Sequence, residues 1–473
     1  MRNDAGLQPL MRRPLQKHSS ALDSSAPTQP MTGYEQIKYT DLQARRKGSF
    51  RKAAFFFLWL LVFAIPWENG VIIHGFGTIS KVVGILAFGM AMLAVLESGT
   101  LRSLAVQHII MFLFFLWASL TYFWSFDPSA TAVSIYTFIQ IFAMVWLVWE
   151  FAQTRKEQFL LLRAYTAGAL VSSVSALVGY FRNTGLNNGR YTGMGFNPGD
   201  LAFILALAIP ISLYLAVQER QKIMVWLAGV TTVLSFCAIV LTASRGSLVA
   251  CIPSVVILPL LFPNVRWGRS LVMVVFLAVA GAGAWLFMPT SSWSRLSTIG
   301  SEITSGTLNE RTMIWQVGWQ IFGQAPFQGV GSEAFAGAAE HSLGLASDSR
   351  DEIGVSATRL AAHNTFFSIL LEEGAIGFSL FFALLLALIL STWRLPVIDR
   401  TFWLCILATW AIGALDLTWE DRKPTWLIFA MLIAAACAKA APRTALLSKQ
   451  ALPVRLWRRA NTLSAETSQS QFS

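Results

Sequence analysis

The chain is poor in the residues that soluble enzymes use freely. Charged residues are only 13% of the 473, 25 acidic against 36 basic, and there are four cysteines and five histidines. Cys237, Cys251, Cys405 and Cys437 fall in apolar runs with no close pair at ligand spacing, so they read as small core residues rather than as a zinc or disulfide framework. His18, His74, His108, His341 and His363 are equally dispersed, and no metal-ligand motif is visible. No GxxxxGK[ST] loop occurs, and no adjacent acidic pair marks a cytoplasmic loop, so the sequence calls for neither ATP nor a metal or other cofactor. The first 52 residues lack an apolar core beside a small-residue cleavage site, which excludes a cleaved signal peptide and leaves a polar, disordered tail. No internal repeat is evident, which weakens a transporter of the inverted-repeat kind.

What the chain has instead is apolar surface. Hydrophobic residues make up 55% of it, far more than a water-soluble domain buries, and windows of roughly 18 to 22 apolar residues recur as a helix crossing a hydrocarbon core requires. Continuous runs such as FFALLLALIL exclude a β-barrel of short alternating strands. The expected fold is therefore an all-α polytopic membrane protein of about twelve spans. They are placed at 53–72, 78–96, 104–124, 130–151, 158–181, 200–217, 222–242, 245–262, 267–288, 363–391, 400–416 and 424–440. This gives three regions: a cytoplasmic tail 1–52, a membrane domain 53–440 and a second cytoplasmic tail 441–473. With both termini inside, 26 of the 36 lysines and arginines fall on the cytoplasmic side and 10 on the other, in keeping with the positive-inside rule. The net charge of +11 then follows from topology and anionic lipid, and no nucleic-acid partner is needed.

Two outer connections stand out. Residues 289–362 form a large periplasmic loop, and long loops in compact architectures are commonly functional. Within it TLNERTMIWQVGWQIFGQAP reads as an amphipathic helix, with Asn309 as N-cap and Trp315, Trp319 and Phe322 on one stripe, suited to the membrane interface. The other connection, NTGLNNGRYTGMGFNPGD, carries turn residues, with Pro198 placed to start a helix and Asp200 in its first turn.

The outer face should be poor in arginine, yet Arg182, Arg190, Arg245, Arg295, Arg311, Arg350, Arg359 and Arg422 map there. An arginine at membrane depth costs at least about 2.5 kcal/mol on insertion scales, so it should face a polar cavity, a carboxylate or an anion. Arg245, in AIVLTASRGSLVAC, lies in a connection too short to leave the membrane surface, and Asp200, Glu372, Glu373, Asp416, Glu420 and Asp421 are acids able to pair with it. Planar guanidinium forks suit phosphate oxygens, and a diphosphate held by two of them is a natural ligand. His363 opens the tenth span, where a neutral imidazole is able to take a proton from an attacking hydroxyl. Glu372 and Glu373 lie some nine residues on, roughly 13 Å along one helix, and should pair within the bundle.

Four stretches, GRYTGMGFNPGDLAFILAL, LTASRGSLVA, NERTMIWQVGWQIFGQAPFQGVGSEAF and AAHNTFFSILLEEGAIGFSL, occur in an order and spacing that resemble the O-antigen ligase and polysaccharide polymerase family of bacterial membrane glycosyltransferases. The likeness spans about residues 185 to 380, and the twelve-helix layout extends it. The resemblance implies a metal-independent, inverting glycosyltransferase of the bacterial inner membrane, working on the periplasmic side. Its donor would be a glycan on undecaprenyl diphosphate, and its acceptor a sugar hydroxyl of a glycan or glycolipid. By the same resemblance Arg190, Arg245 and His363 are catalytic, the arginines neutralising the diphosphate and His363 assisting the acceptor hydroxyl, and Arg311 binds the diphosphate; Arg359, Trp315 and Asp200, in the same stretches or beside them, are expected to bind substrate. Membrane lipid and other polysaccharide assembly and export proteins are the implied partners. The chain departs from the family at Gly199, where relatives often have a second Asn. The motifs serve polymerases and ligases alike, in exopolysaccharide or O-antigen synthesis. A lipid-linked oligosaccharide flippase or secondary transporter is the alternative function, and a structural subunit that binds partners through its outer loop is a third.

Overall fold

The computed structural model describes residues 48–187, 189–261, 311–342 and 361–438. Nearly all of this is helix. In chain order the helices are α1 (Ser49–Ala64), α2 (Ile79–Ser98), α3 (Val106–Leu120), α4 (Pro128–Phe151), α5 (Arg155–Phe181), α6 (Pro198–Gln218), α7 (Lys222–Leu241), α8 (Arg245–Ala250) and α9 (Ile252–Leu261). After the undescribed stretch come α10 (Arg311–Gln324), α11 (Phe335–Ser342), α12 (Thr365–Glu372), α13 (Gly374–Thr392), α14 (Val397–Ala414) and α15 (Lys423–Ala436). Two short antiparallel hairpins, β1 (Ile72–Ile73) with β2 (Gly77–Thr78) and β3 (Leu186–Asn187) with β4 (Arg190–Tyr191), close two of the connections.

Among the described residues nine helices are long and apolar enough to cross a membrane, and α8 with α9, and α15, are shorter apolar helices. Eleven of the twelve expected spans thus fall on helix, while 267–288, residues 1–47 of the first tail, the whole second tail, Asn309, Arg359 and most of 289–362 lie outside the described residues, and the last residues of the expected first tail, from Ser49, already belong to α1. Local chemistry sets the helix starts. Asp127 accepts from the amides of Ser129 and Ala130, with Pro128 at the first helical position of α4. Thr154 and Glu157 close a reciprocal capping box on α5, and Asn197 caps α6 through the amide of Gly199. Helix α6 is buried all round, as its sequence, apolar on every face, requires, and α15 lies equally deep from Pro424 to Ala434. The remaining helices pack around these two.

The two ends of the bundle differ. One is tied by arginines: Arg51 to Glu157 at 3.3 Å, Arg155 to Asp399 at 3.0 Å, Arg163 to Glu219, and Arg102 to the carbonyls of Trp149 and Cys437 at 2.8 and 3.1 Å. The other end gathers the β3–β4 hairpin, the turn before α8, α10 to α12 and the α14–α15 connection.

The expected continuous helix 363–391 is in fact two. Gly374 has a φ of 68°, in the left-handed region that favours glycine, and a side chain there would collide with the backbone of Phe327 and Gly329. The carbonyls at the end of α12 are satisfied from outside the helix: Leu371 accepts from the amide of Val330 and Glu372 from that of Gly331, both at 3.0 Å. A loop over 325–334 is thereby docked into the break. Glu372 and Glu373 sit at the junction, not one helix length deep in a continuous span. The Glu372 carboxylate takes the amides of Glu333 at 2.7 Å and Phe335 at 3.4 Å, serving the open N-terminus of α11 rather than pairing with a cation.

Candidate functional site

The turn from Thr242 to Gly246 organises the second end of the bundle. Ala243 has a φ of 50°, so the chain reverses within one residue between α7 and α8 and places Arg245 at the start of α8. Arg190, carried on β4, donates from Nε to the Thr242 carbonyl at 2.7 Å and so reaches the same turn. Arg311, at the start of α10, donates from Nη1 to Asp416 Oδ1 at 2.7 Å and from Nη2 to the Asp416 carbonyl at 3.2 Å. The Asp416 carboxylate in turn lies against Gly246, where any added side chain would overlap it. Three arginines distant in sequence therefore meet around residues 242–246, Arg190 through Thr242 and Arg311 through Asp416.

That packing yields a sharp test. Gly246→Ala would drive a methyl group into the Asp416 carboxylate and displace the partner that orients Arg311. The glycan transfer that the sequence resemblance implies is expected to collapse at matched membrane abundance, while the helical content of the purified variant stays as in the parent. Parental transfer by the alanine variant would show that the contact is dispensable.

His363 has a φ of 48° and directly precedes Asn364, which caps α12 by accepting the Phe367 amide at 3.1 Å. The cap fixes where the imidazole enters the site. Burial and the Arg311 guanidinium hold its pKa below the ordinary value, against the opposing pull of Asp416 and Asp200. Its neutral, proton-accepting form is thus the favoured one. Asp200, in the first turn of α6 as expected, accepts from Trp419 Nε1 at 2.8 Å, and the Thr365 hydroxyl bridges the Leu417 carbonyl and the Trp419 amide at 2.7 and 2.9 Å. The α14–α15 connection is therefore stitched to the starts of both α6 and α12.

Helix α10 is two-faced as expected. Ile314, Val317, Gly318 and Ile321 form its buried face, and the tryptophan stripe flanks that face, with Trp319 exposed. Trp315 donates to the Ala362 carbonyl at 2.9 Å, which ties α10 to the residue before His363, and the Trp319 ring meets Phe367 at 5.3 Å. Trp315 is thus occupied in positioning. The physical reason is that α12 offers α10 an apolar partner, so its inner face is buried against protein.

Of the residues expected to act, the structure brings together Arg190, Arg245, Arg311, His363 and Asp200. Arg182 is exposed at the end of α5, outside this group of contacts. Asp416 was one of six acids considered as partners for Arg245; its direct ion pair is with Arg311. Glu333 had no place in the sequence reading, although a glutamate between small residues in GVGSEAF is the kind of turn signal that would have flagged it. No curated protein matches the chain. Residues 230–382, about a third of the sequence, match the family model described as O-Antigen ligase. The matched segment includes Arg245, Arg311 and His363, leaves Arg190 and Asp200 outside, and supports the O-antigen ligase and polysaccharide polymerase family for this chain.

Proposed function

We propose that this protein transfers a glycan from an undecaprenyl-diphosphate-linked donor to an acceptor sugar hydroxyl at the periplasmic face of the inner membrane, as a polysaccharide polymerase or ligase. The observation that carries the reading is the convergence of Arg190, Arg245 and Arg311 on one turn, with a neutral histidine among the charges that surround Arg311. Arg190 and Arg245 bind the diphosphate, and Arg311, oriented by Asp416, adds a third fork. As the bond between the sugar and the diphosphate breaks, negative charge grows on the phosphate oxygens. Fixed cations stabilise that charge more in the transition state than in the bound donor, which is the condition for acceleration. His363 takes the proton of the attacking hydroxyl, whose oxygen enters opposite the departing diphosphate and inverts the sugar carbon. The arginines do the work a metal ion would otherwise do, so the reaction is proposed to be metal-independent. Arg359, four residues before His363 in the sequence, is proposed to bind substrate beside it.

The experiment is transfer by purified protein in detergent, with native lipid-linked glycan as donor and no sealed compartment. Sugar transfer under those conditions supports the enzyme, and its absence alongside substrate movement in vesicles would favour a flippase. Surface glycan from a deletion strain then separates the two chemistries: single attached repeat units indicate a polymerase, and no attached unit a ligase.

A further inference from the structure

The acidic side of the same region has no part in the chemistry above. Glu333 has a φ of 58°, a conformation a glutamate adopts only under constraint, and the constraint is the pair of amide hydrogen bonds to Glu372 that fixes residues 333 and 335. Ser332, Ala334 and Phe335 around it are buried, whereas Glu333 itself is exposed. Among the described residues nothing is hydrogen-bonded to its carboxylate. Arg422 faces the same group of charges. Its side chain is 52% exposed and its Nε lies 3.3 Å from Asp421 Oδ1, while its two amino groups make no hydrogen bond among the described residues. Asp421, Asp200, Glu333 and Glu420 are the carboxyl groups acting on it.

Asp200 links this side to the arginines, since it acts electrostatically on both His363 and Arg422. The site thus has a cationic pole, Arg190, Arg245 and Arg311, and a second group, Arg422 with Asp421 and Glu333. The Trp419 carbonyl accepts from the Arg422 amide at 3.3 Å while its indole and amide donate to Asp200 and to the Thr365 hydroxyl, so Arg422 stands against the starts of α6 and α12. A diphosphate is drawn to the three arginines and repelled by the two carboxylates, Glu333 and Asp421, of the second group. A sugar hydroxyl both donates and accepts, and a carboxylate facing a guanidinium satisfies both needs.

We propose that Glu333 and Arg422 form the subsite for the acceptor sugar, an uncharged, hydroxyl-rich ring, and thereby set which end of the site each substrate occupies. This rests on the transferase reading. Desolvation by the surrounding protein and the Asp421 carboxylate push the Glu333 carboxyl up to about 7, against Arg422. Near neutral pH it offers hydroxyls both a donor and an acceptor form.

The test compares the parent with Glu333→Gln and Arg422→Lys, purified in detergent, using native lipid-linked glycan as donor and oligosaccharides released by mild acid from the host surface glycan as acceptors. Loss of a hydrogen bond to a charged group predicts an acceptor KM raised roughly tenfold to a hundredfold, with the donor KM and the affinity for inorganic diphosphate within about twofold of the parent. A purely structural role would instead lower thermal stability and raise both KM values, which overturns the proposal. An unchanged acceptor KM in both variants overturns it as well while leaving the transferase reading intact. A parent protein that transfers no sugar removes the transferase reading, and the subsite falls with it. Should Glu333→Gln fail to fold, Arg422→Lys carries the comparison, because it keeps the charge and loses the fork.

Discussion

Arg245→Ala, at unchanged membrane abundance, should abolish glycan transfer, with Arg245→Lys restoring only part of it. Removing one preorganised group that stabilises developing charge costs about 10²–10³ in kcat, and Arg245 is half-buried at the start of α8, next to the buried Thr242, Ala243 and Ser244. Lysine keeps the charge but is a point donor without the planar fork, so the substitution is not conservative at a phosphate. The loss should appear in kcat more than in donor KM, because the charge that Arg245 meets grows as the bond breaks. The measurement is steady-state transfer by purified variants, with circular dichroism to confirm that helix content is retained. An alanine variant with full activity would sink the mechanism.

The second large effect is expected at His363. Proton removal by a positioned base contributes typically 10²–10⁴-fold, so His363→Ala should lower kcat on that scale and leave donor affinity for the arginine pole unchanged. Because burial and Arg311 hold the imidazole below its ordinary pKa, the neutral base persists to more acid pH than a free histidine would allow. With saturating acceptor, kcat should stay level through neutrality and fall only as pH drops below about 6.5, the ordinary value for histidine. In the alanine variant that acid limb should vanish. A modest effect of the substitution, or an unchanged limb, would demote His363 to a residue that positions the acceptor.

The membrane helices were legible because their signal is local, long runs of apolar residues; in the structure Asp127, Thr154 and Asn197 cap three of the starts. The arginines were legible as a set because charge is costly at membrane depth, so its presence there requires a reason. What the sequence hid depends on contacts between distant segments. Nothing in AAHNTFFSILLEEGAIG shows that the helix stops at Glu372, since the break exists only because the 325–334 loop supplies donors to its carbonyls. The same holds for Asp416, whose choice of Arg311 among the arginines follows from where α14 ends beside Gly246. Trp315 and Trp319 have the spacing of an amphipathic stripe, but their contacts with Phe367, on a segment about fifty residues away, were not legible from that spacing.

The ion pair between Arg311 and Asp416 also bears on turnover. A guanidinium with a resting partner is never stranded in a poorly solvated place while the site awaits its next lipid, and its orientation survives each cycle. On the proposed transferase reading the same carboxylate would compete with a spent diphosphate for that cation, surrendering part of the grip on the leaving product without any rearrangement of helices. Asp416 would in that sense be a return spring for the cycle, resetting the loop arginine once the lipid carrier drifts back into the bilayer.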